Sequence, residues 1–306
     1  TVSDTDTTAT HLSTLNGNMT GLINAGTVTN LTGTIAEVKA VTDAKGSSGD
    51  KINLDGDFTA TVSDAGSAAA SDLSAISEKT TGNITATNVT TLTGTASEIA
   101  TLINDQADSG DGVNLAANVT ATVTGTVAAA DLTTINNGTT GLITATGVTT
   151  ITGTAAAVKA VIDAEADTGN AINLDTNFLV TITPEGSAVA TDLSAINTET
   201  SGLVTATNVT EITGTLSEIK AVTDAEGDTG DKINLDGDFT ATVSDTGSVA
   251  ASDLTSVSGK TTGNIAATGV TTVTGSATEV AALIADQADS GDGVNLAANV
   301  KATITG

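Results

Sequence analysis

The chain repeats itself five times at a spacing near 60 residues, and this restricts its fold more than any other feature. The Gly of a Thr-Gly-Thr or Thr-Gly-Ser turn falls at Gly33, Gly94, Gly153, Gly214 and Gly275, with gaps of 61, 59, 61 and 61. An Ile/Val-Asn-Leu triplet keeps step with it, starting at Ile52, Val113, Ile172, Ile233 and Val294. Two registers in step over 306 residues mark a repeat architecture, in which a unit buries its apolar side only against its neighbours. A longer period lies on top: residues 50–125 match 231–306 at 60 of 76 positions, an offset of 181 or three units. Duplication of a block of units leaves this pattern, so the chain reads as a window on a longer array.

Each unit divides into two similar halves, and each half reads as strand, strand, short helix. One helix starts at a capping box, in which a hydroxyl and a Glu three residues later satisfy the free amides of the first turn. These boxes are Thr34 to Glu37, Thr95 to Glu98, Thr215 to Glu218 and Ser276 to Glu279. The middle copy, Thr154 to Ala157, keeps the cap and lacks the Glu. The other helix carries Asp72-Leu73, Asp131-Leu132, Asp192-Leu193 and Asp253-Leu254, with Asp in the first turn facing the positive end of the helix dipole. His11 stands at that position in the first unit and reads as a variable exposed site, since no other His or Cys is present to form a dyad.

Strands show period-two alternation. Phe58, Ala60 and Val62 face one way and Thr59, Thr61 and Ser63 the other; Phe178 to Ile182, Phe239 to Val243 and Val300 to Ile304 repeat it. The expected fold is α/β, a repeat solenoid with two short parallel strands and one short helix per coil. About ten coils in five units, roughly 1–60, 61–120, 121–180, 181–241 and 242–306, form a single continuous solenoid over residues 1–306. Small Ala, Val, Ile and Leu side chains, with only three Phe, suit a narrow core between closely stacked coils.

With 36 acidic and nine basic residues the formal net charge is -27, which excludes nucleic acid and a polybasic membrane attachment as partners. No apolar run approaches the roughly 18 to 20 residues that span a bilayer. Such acidity keeps a chain soluble in high salt, where self-repulsion is screened. The absence of Cys removes disulfides and thiolate metal sites. No triad, phosphate loop or zinc spacing is present, and five near-equivalent units offer no singular constellation, so no enzyme is expected.

Calcium is the one candidate ion. Asp108 and Asp111, Asp228 and Asp231, and Asp289 and Asp292 bracket tight Asp-Ser/Thr-Gly-Asp turns that offer hard oxygen ligands. The equivalent turns at Ser47 to Asp50 and Asp167 to Asn170 each lack a carboxylate, and the same residue types serve a turn without any ion. Asn53, Asn114, Asn173, Asn234 and Asn295 read as a structural ladder of stacked amides. Thr-Ala-Thr at Thr85, Thr144 and Thr205 resembles the hydroxyl arrays of ice-binding β-solenoids over three residues per unit, and ordinary strand Thr explains it.

Residues 150 to 164, Thr-Ile-Thr-Gly-Thr-Ala followed by Val-Lys-Ala-Val-Ile-Asp-Ala, joined to Asn-Ala-Ile-Asn-Leu-Asp at 170 to 175, resemble the Thr-rich repeat regions of giant secreted cell-surface proteins. The swimming-motility surface protein of marine cyanobacteria belongs to that class. The resemblance implies an extracellular, acidic, calcium-tolerant structural array at the cell surface and carries over no functional residue. The expected function is a structural repeat protein that forms a surface array or stacks end to end into a fibre. Its expected partners are itself or flanking repeats of a longer chain. The alternative is a calcium-dependent or carbohydrate-binding adhesion module.

Overall fold

The computed structural model describes residues 1–49, 51–106, 112–165, 171–183, 186–230, 232–287 and 293–305. Over these residues the protein is mixed α/β, with ten helices and sheets of parallel strands. The chain forms two compact units, Thr1–Gly147 with Ala164–Leu174, and Val148–Asp163 with Asp175–Gly306. The first holds α1 (Ala9–Asn18), α2 (Ile35–Asp43), α3 (Ala70–Ser77), α4 (Ala96–Gln106) and α5 (Ala129–Gly138). The second holds α6 (Ala155–Asp163), α7 (Ala190–Glu199), α8 (Leu216–Asp224), α9 (Ala251–Ser258) and α10 (Ala277–Gln287).

The even-numbered helices begin where the capping boxes place them. Thr34 Oγ1 accepts from the Glu37 amide while Glu37 Oε2 accepts from the Thr34 amide at 2.8 Å, and α4, α8 and α10 repeat the exchange. At α6 the Ala157 amide still donates to Thr154 Oγ1. The odd helices α3, α5, α7 and α9 start from Ala69, Ala128, Val189 and Ala250 with no side-chain cap, and Asp72, Asp131, Asp192 and Asp253 lie in their first turns.

In the first unit Asp6–Thr8, Asn30–Gly33, Thr59–Val62, Asn83–Ala86 and Gly112–Leu115 form one five-stranded parallel sheet in that order. Thr8 pairs with Thr32, Thr32 with Thr61, Thr61 with Thr85, and Thr85 with Asn114. The chain therefore returns to its own edge after alternately 24 and 29 residues, so two returns take 53 residues where the sequence repeat takes 61. The second unit keeps the same steps, with Ala188 on Ile212, Ile212 on Ala241, Ala241 on Ile265 and Ile265 on Val294.

An extra strand accounts for the difference of eight. Between α3 and α4 the chain makes two strands, Asn83–Ala86 and Val89–Thr93, as expected. Between α2 and α3 it makes three: Ile52–Leu54, Thr59–Val62 and Gly66–Ala69. The third reads Gly-Ser-Ala-Ala, a composition depleted in strands. It is held extended by its partner, Ala68 on Leu92 and Ala69 on Thr93.

The core is the Phe, Ala and Val face of the strands. Phe58, Phe178 and Phe239 are the largest fully buried side chains. The expected core face of the last repeat differs: Ala302 and Ile304 are exposed and Val300 half-buried, whereas Val62, Val123, Ile182 and Val243 at the position of Ile304 are buried.

Candidate functional site

Two recurrent side-chain devices tie one passage of the chain to the next, and a third braces the helices. In the first, the carboxylate of Asp64 accepts the Ile35 amide at the start of α2 at 2.6 Å, across 29 residues, and Asp245 does the same for Leu216 at 2.7 Å. In the second, the Thr of a Thr-Thr/Ser-Gly turn bridges two strands. Thr80 donates to the Phe58 carbonyl at 2.5 Å and accepts the Gly82 amide at 2.9 Å; Thr261, Phe239 and Gly263 repeat this. Thr139 with Val119 and Gly141, and Thr200 with Phe178 and Gly202, make the same pair of bonds. The glycine is required, because a Cβ on Gly82 would stand 2.3 Å from the Phe58 oxygen.

In the third, charged side chains brace the helices. Lys39, Lys159 and Lys220 reach Asp43, Asp163 and Asp224 at 2.9, 2.6 and 2.6 Å, and these bonds raise the lysine pKa values. Lys45 donates to the carbonyls of Asp55 and Lys79 at 3.1 and 2.6 Å with its ammonium 5.2 Å from the Phe58 ring centre, and burial lowers its pKa. The Thr34 backbone amide, then the hydroxyls of Thr10 and Thr34, hold the Glu37 carboxyl below its ordinary value. Thr95 and Ser276 act likewise on Glu98 and Glu279.

No family model, curated protein or solved structure matches this chain.

Of the six candidate calcium ligands, Asp108, Asp111, Asp231, Asp289 and Asp292 lie outside the described residues. Asp228 is exposed in a bend after α8, and no three His, Cys, Asp or Glu side chains gather into a metal group among the described residues. His11 is exposed in α1, where its backbone amide donates to Thr8 Oγ1. The expected asparagine ladder does not form. Asn53 sits beside Asn24 and donates to its Oδ1 at 3.3 Å, but Asn114 pairs with Thr85, Asn173 with Thr144, Asn234 with Thr205 and Asn295 with Ala266. Equivalent asparagines stand about 60 residues apart, while strand neighbours stand 29 apart.

The outward row Thr8, Thr32, Thr61, Thr85, Asn114 of the first unit becomes Val189, Thr213, Thr242, Ala266, Asn295 in the second. Thr32 and Thr213 turn their hydroxyls to the carbonyls of Thr7 and Ala188 at 3.4 Å. These threonines close strand-to-strand bonds, which is a structural use. The Thr-Thr/Ser-Gly clasp and the Asp64 bridge are the functional contacts that sequence reasoning missed. The recurrence of Thr two residues before Gly82, Gly141, Gly202 and Gly263 was the signal available for the clasp.

Proposed function

We propose that this chain is a structural repeat protein, built as an α/β solenoid and working by stacking of repeats into an extracellular surface array or fibre, with no catalytic role. The 24- and 29-residue returns support the solenoid reading, each return being one coil. The net charge of -27 suits a surface bathed in salt.

The observation that carries the stacking role is the exposure of apolar side chains in the first and last repeats. Leu15 is 39 % exposed, whereas Ile76, Ile135, Ile196 and Val257 at the same repeat position are fully buried. Ile284 and Ile304 are 47 % and 55 % exposed, whereas Ile103, Ile162, Val62, Val123, Ile182 and Val243 are buried. Inside the first unit Gly138 of α5 packs so closely on Ile103 that a Cβ there would fall 2.0 Å from the Ile103 methyl. The apolar faces presented by the first and last repeats thus have the make-up that another repeat covers elsewhere, and parallel strand edges accompany them.

Sedimentation velocity at rising concentration in about 0.5 M NaCl, where the Debye length is only a few Å, tests the reading. Stepwise elongated species are expected for the parent chain and their loss in L15E and I304E. One mass at every concentration, with the variants indistinguishable from the parent, would overturn end-to-end stacking.

A further inference from the structure

Between the C-terminal ends of α3 and α4 lies a cavity of about 250 Å³, lined by Ser74, Ser77, Glu78, Thr101, Asp105 and Gly112. Among the described residues, Asp105 Oδ2 and Ser74 Oγ are buried there with no hydrogen-bond partner. The second unit carries the counterpart between α9 and α10, about 270 Å³, with Ser258, Asp286 and Gly293 in its wall, and Asp286 Oδ2 is likewise buried and unpartnered. The three residues change together across the repeats. Ser77, Asp105 and Gly112, and Ser258, Asp286 and Gly293, stand where the other three repeats have Asn16, Ala44 and Lys51; Asn136, Ala164 and Ala171; and Asn197, Ala225 and Lys232.

Each change opens the cavity or charges it. Ser in place of Asn shortens the side chain at the cavity wall. Gly in place of Lys or Ala is needed because a Cβ at Gly112 would stand 2.2 Å from the Asp105 carbonyl oxygen, and at Gly293 2.4 Å from that of Asp286. Asp in place of Ala then puts a carboxylate where no donor among the described residues meets its inner oxygen, an arrangement that costs free energy unless a positive group fills it. Both helices point their negative ends at the site and have no basic residue in their last turns. Beside α2, the Lys45 ammonium takes the Asp55 and Lys79 carbonyls; its counterpart in α4 is Gln106, whose Oε1 also lacks a partner.

We propose that the cavity between α3 and α4 is a site for a hard divalent cation, calcium by its donor set, anchored by Asp105, and that the cavity between α9 and α10 is a weaker second site anchored by Asp286. The first offers two carboxylates, Asp105 and Glu78, with hydroxyls; the second has Gly259 where Glu78 stands and one carboxylate, hence the lower affinity. The room exceeds that of a bare ion and leaves space for coordinating water, which favours calcium over the smaller, more rigidly octahedral magnesium.

Calorimetric titration of the chelator-treated chain with CaCl2 and with MgCl2, in about 0.5 M NaCl to suppress loose counter-ion binding, provides the test. Saturable heat with calcium is expected, at least tenfold tighter than with magnesium. D105N should abolish the tighter phase and D286N the weaker one. S77N offers a variant that the fold tolerates, since three repeats carry Asn there, and it should fill the first cavity and remove the tighter phase. Absence of saturable calcium heat in the parent chain overturns the proposal. So does calcium binding that survives in both D105N and S77N, which would place the ion elsewhere on the chain.

Discussion

Thr80 Oγ1 lies 2.5 Å from the carbonyl oxygen of Phe58, 22 residues earlier, and the same hydroxyl accepts the Gly82 amide. One half-buried hydroxyl thereby satisfies a donor and an acceptor on two passages of the chain. At Thr200, which is itself buried, T200V keeps the shape and strands both the Phe178 carbonyl and the Gly202 amide. A loss of about 1–3 kcal/mol is expected, read by urea unfolding, with T200S close to the parent. A T200V midpoint equal to the parent's would refute the clasp.

The glycine of the same turn gives a sharper contrast. G202A would set a Cβ 2.2 Å from the Phe178 oxygen, whereas G21A meets nothing within 4 Å. G202A should therefore shift the backbone and lower the melting temperature by several degrees, while G21A should stay within about 1 kcal/mol of the parent. Thermal melting of the two variants side by side decides it.

Acid should weaken the capping boxes. Glu37, Glu98 and Glu279 have depressed pKa values, each owed first to the backbone amide at the helix cap. A depressed carboxylate contributes stability that is complete above its unfolded value and is lost as pH falls through its folded one. Between about pH 5 and pH 2 the parent chain should lose stability more steeply than the triple variant E37Q/E98Q/E279Q, as followed by circular dichroism. Parallel pH profiles would show that folding does not favour the charged form of these glutamates.

Salt should act in the opposite sense from its effect on an ion-paired protein. With 36 acidic side chains against nine basic, repulsion outweighs the few surface pairs such as Lys39 with Asp43. Raising NaCl from about 0.05 to 1 M shortens the Debye length from roughly 14 to 3 Å and should raise the melting temperature. A fall would mean that the pairs dominate.

The core can be tested at Phe178. It is fully buried and its neighbour Leu179 is 46 % exposed. F178A should cost about 3–5 kcal/mol, and L179A less than about 1 kcal/mol, by chemical denaturation.

Much of the local structure was legible because it depends on contacts three or four residues apart. The Thr34 to Glu37 box, its repeats and the Thr154 variant that lacks the Glu appear at the helix starts where the residues place them. Period-two alternation marked Phe58, Ala60 and Val62 as inward. The Gly66–Ala69 strand was not legible, since Gly-Ser-Ala-Ala has no intrinsic preference for extended backbone and takes it from Val89–Thr93. Of the six candidate calcium ligands, only Asp228 falls among the described residues, and it stands exposed. The cavity beside Asp105 was hidden because Ser77 lies one passage of the chain before Asp105 and Gly112.

The sequence by itself determined that this protein is built of five like units, where its helices begin and which strand faces are apolar, because each is a matter of composition and short-range spacing. Only the tertiary structure decided which strand lies beside which. Hydrogen-bonded return of the chain requires 24 and 29 residues in turn, and that length is set by the circuit through one helix and its strands, not by the 61-residue repeat. For that reason Asn114 neighbours Thr85 and not Asn53, and Asp64 comes to cap a helix that begins 29 residues before it.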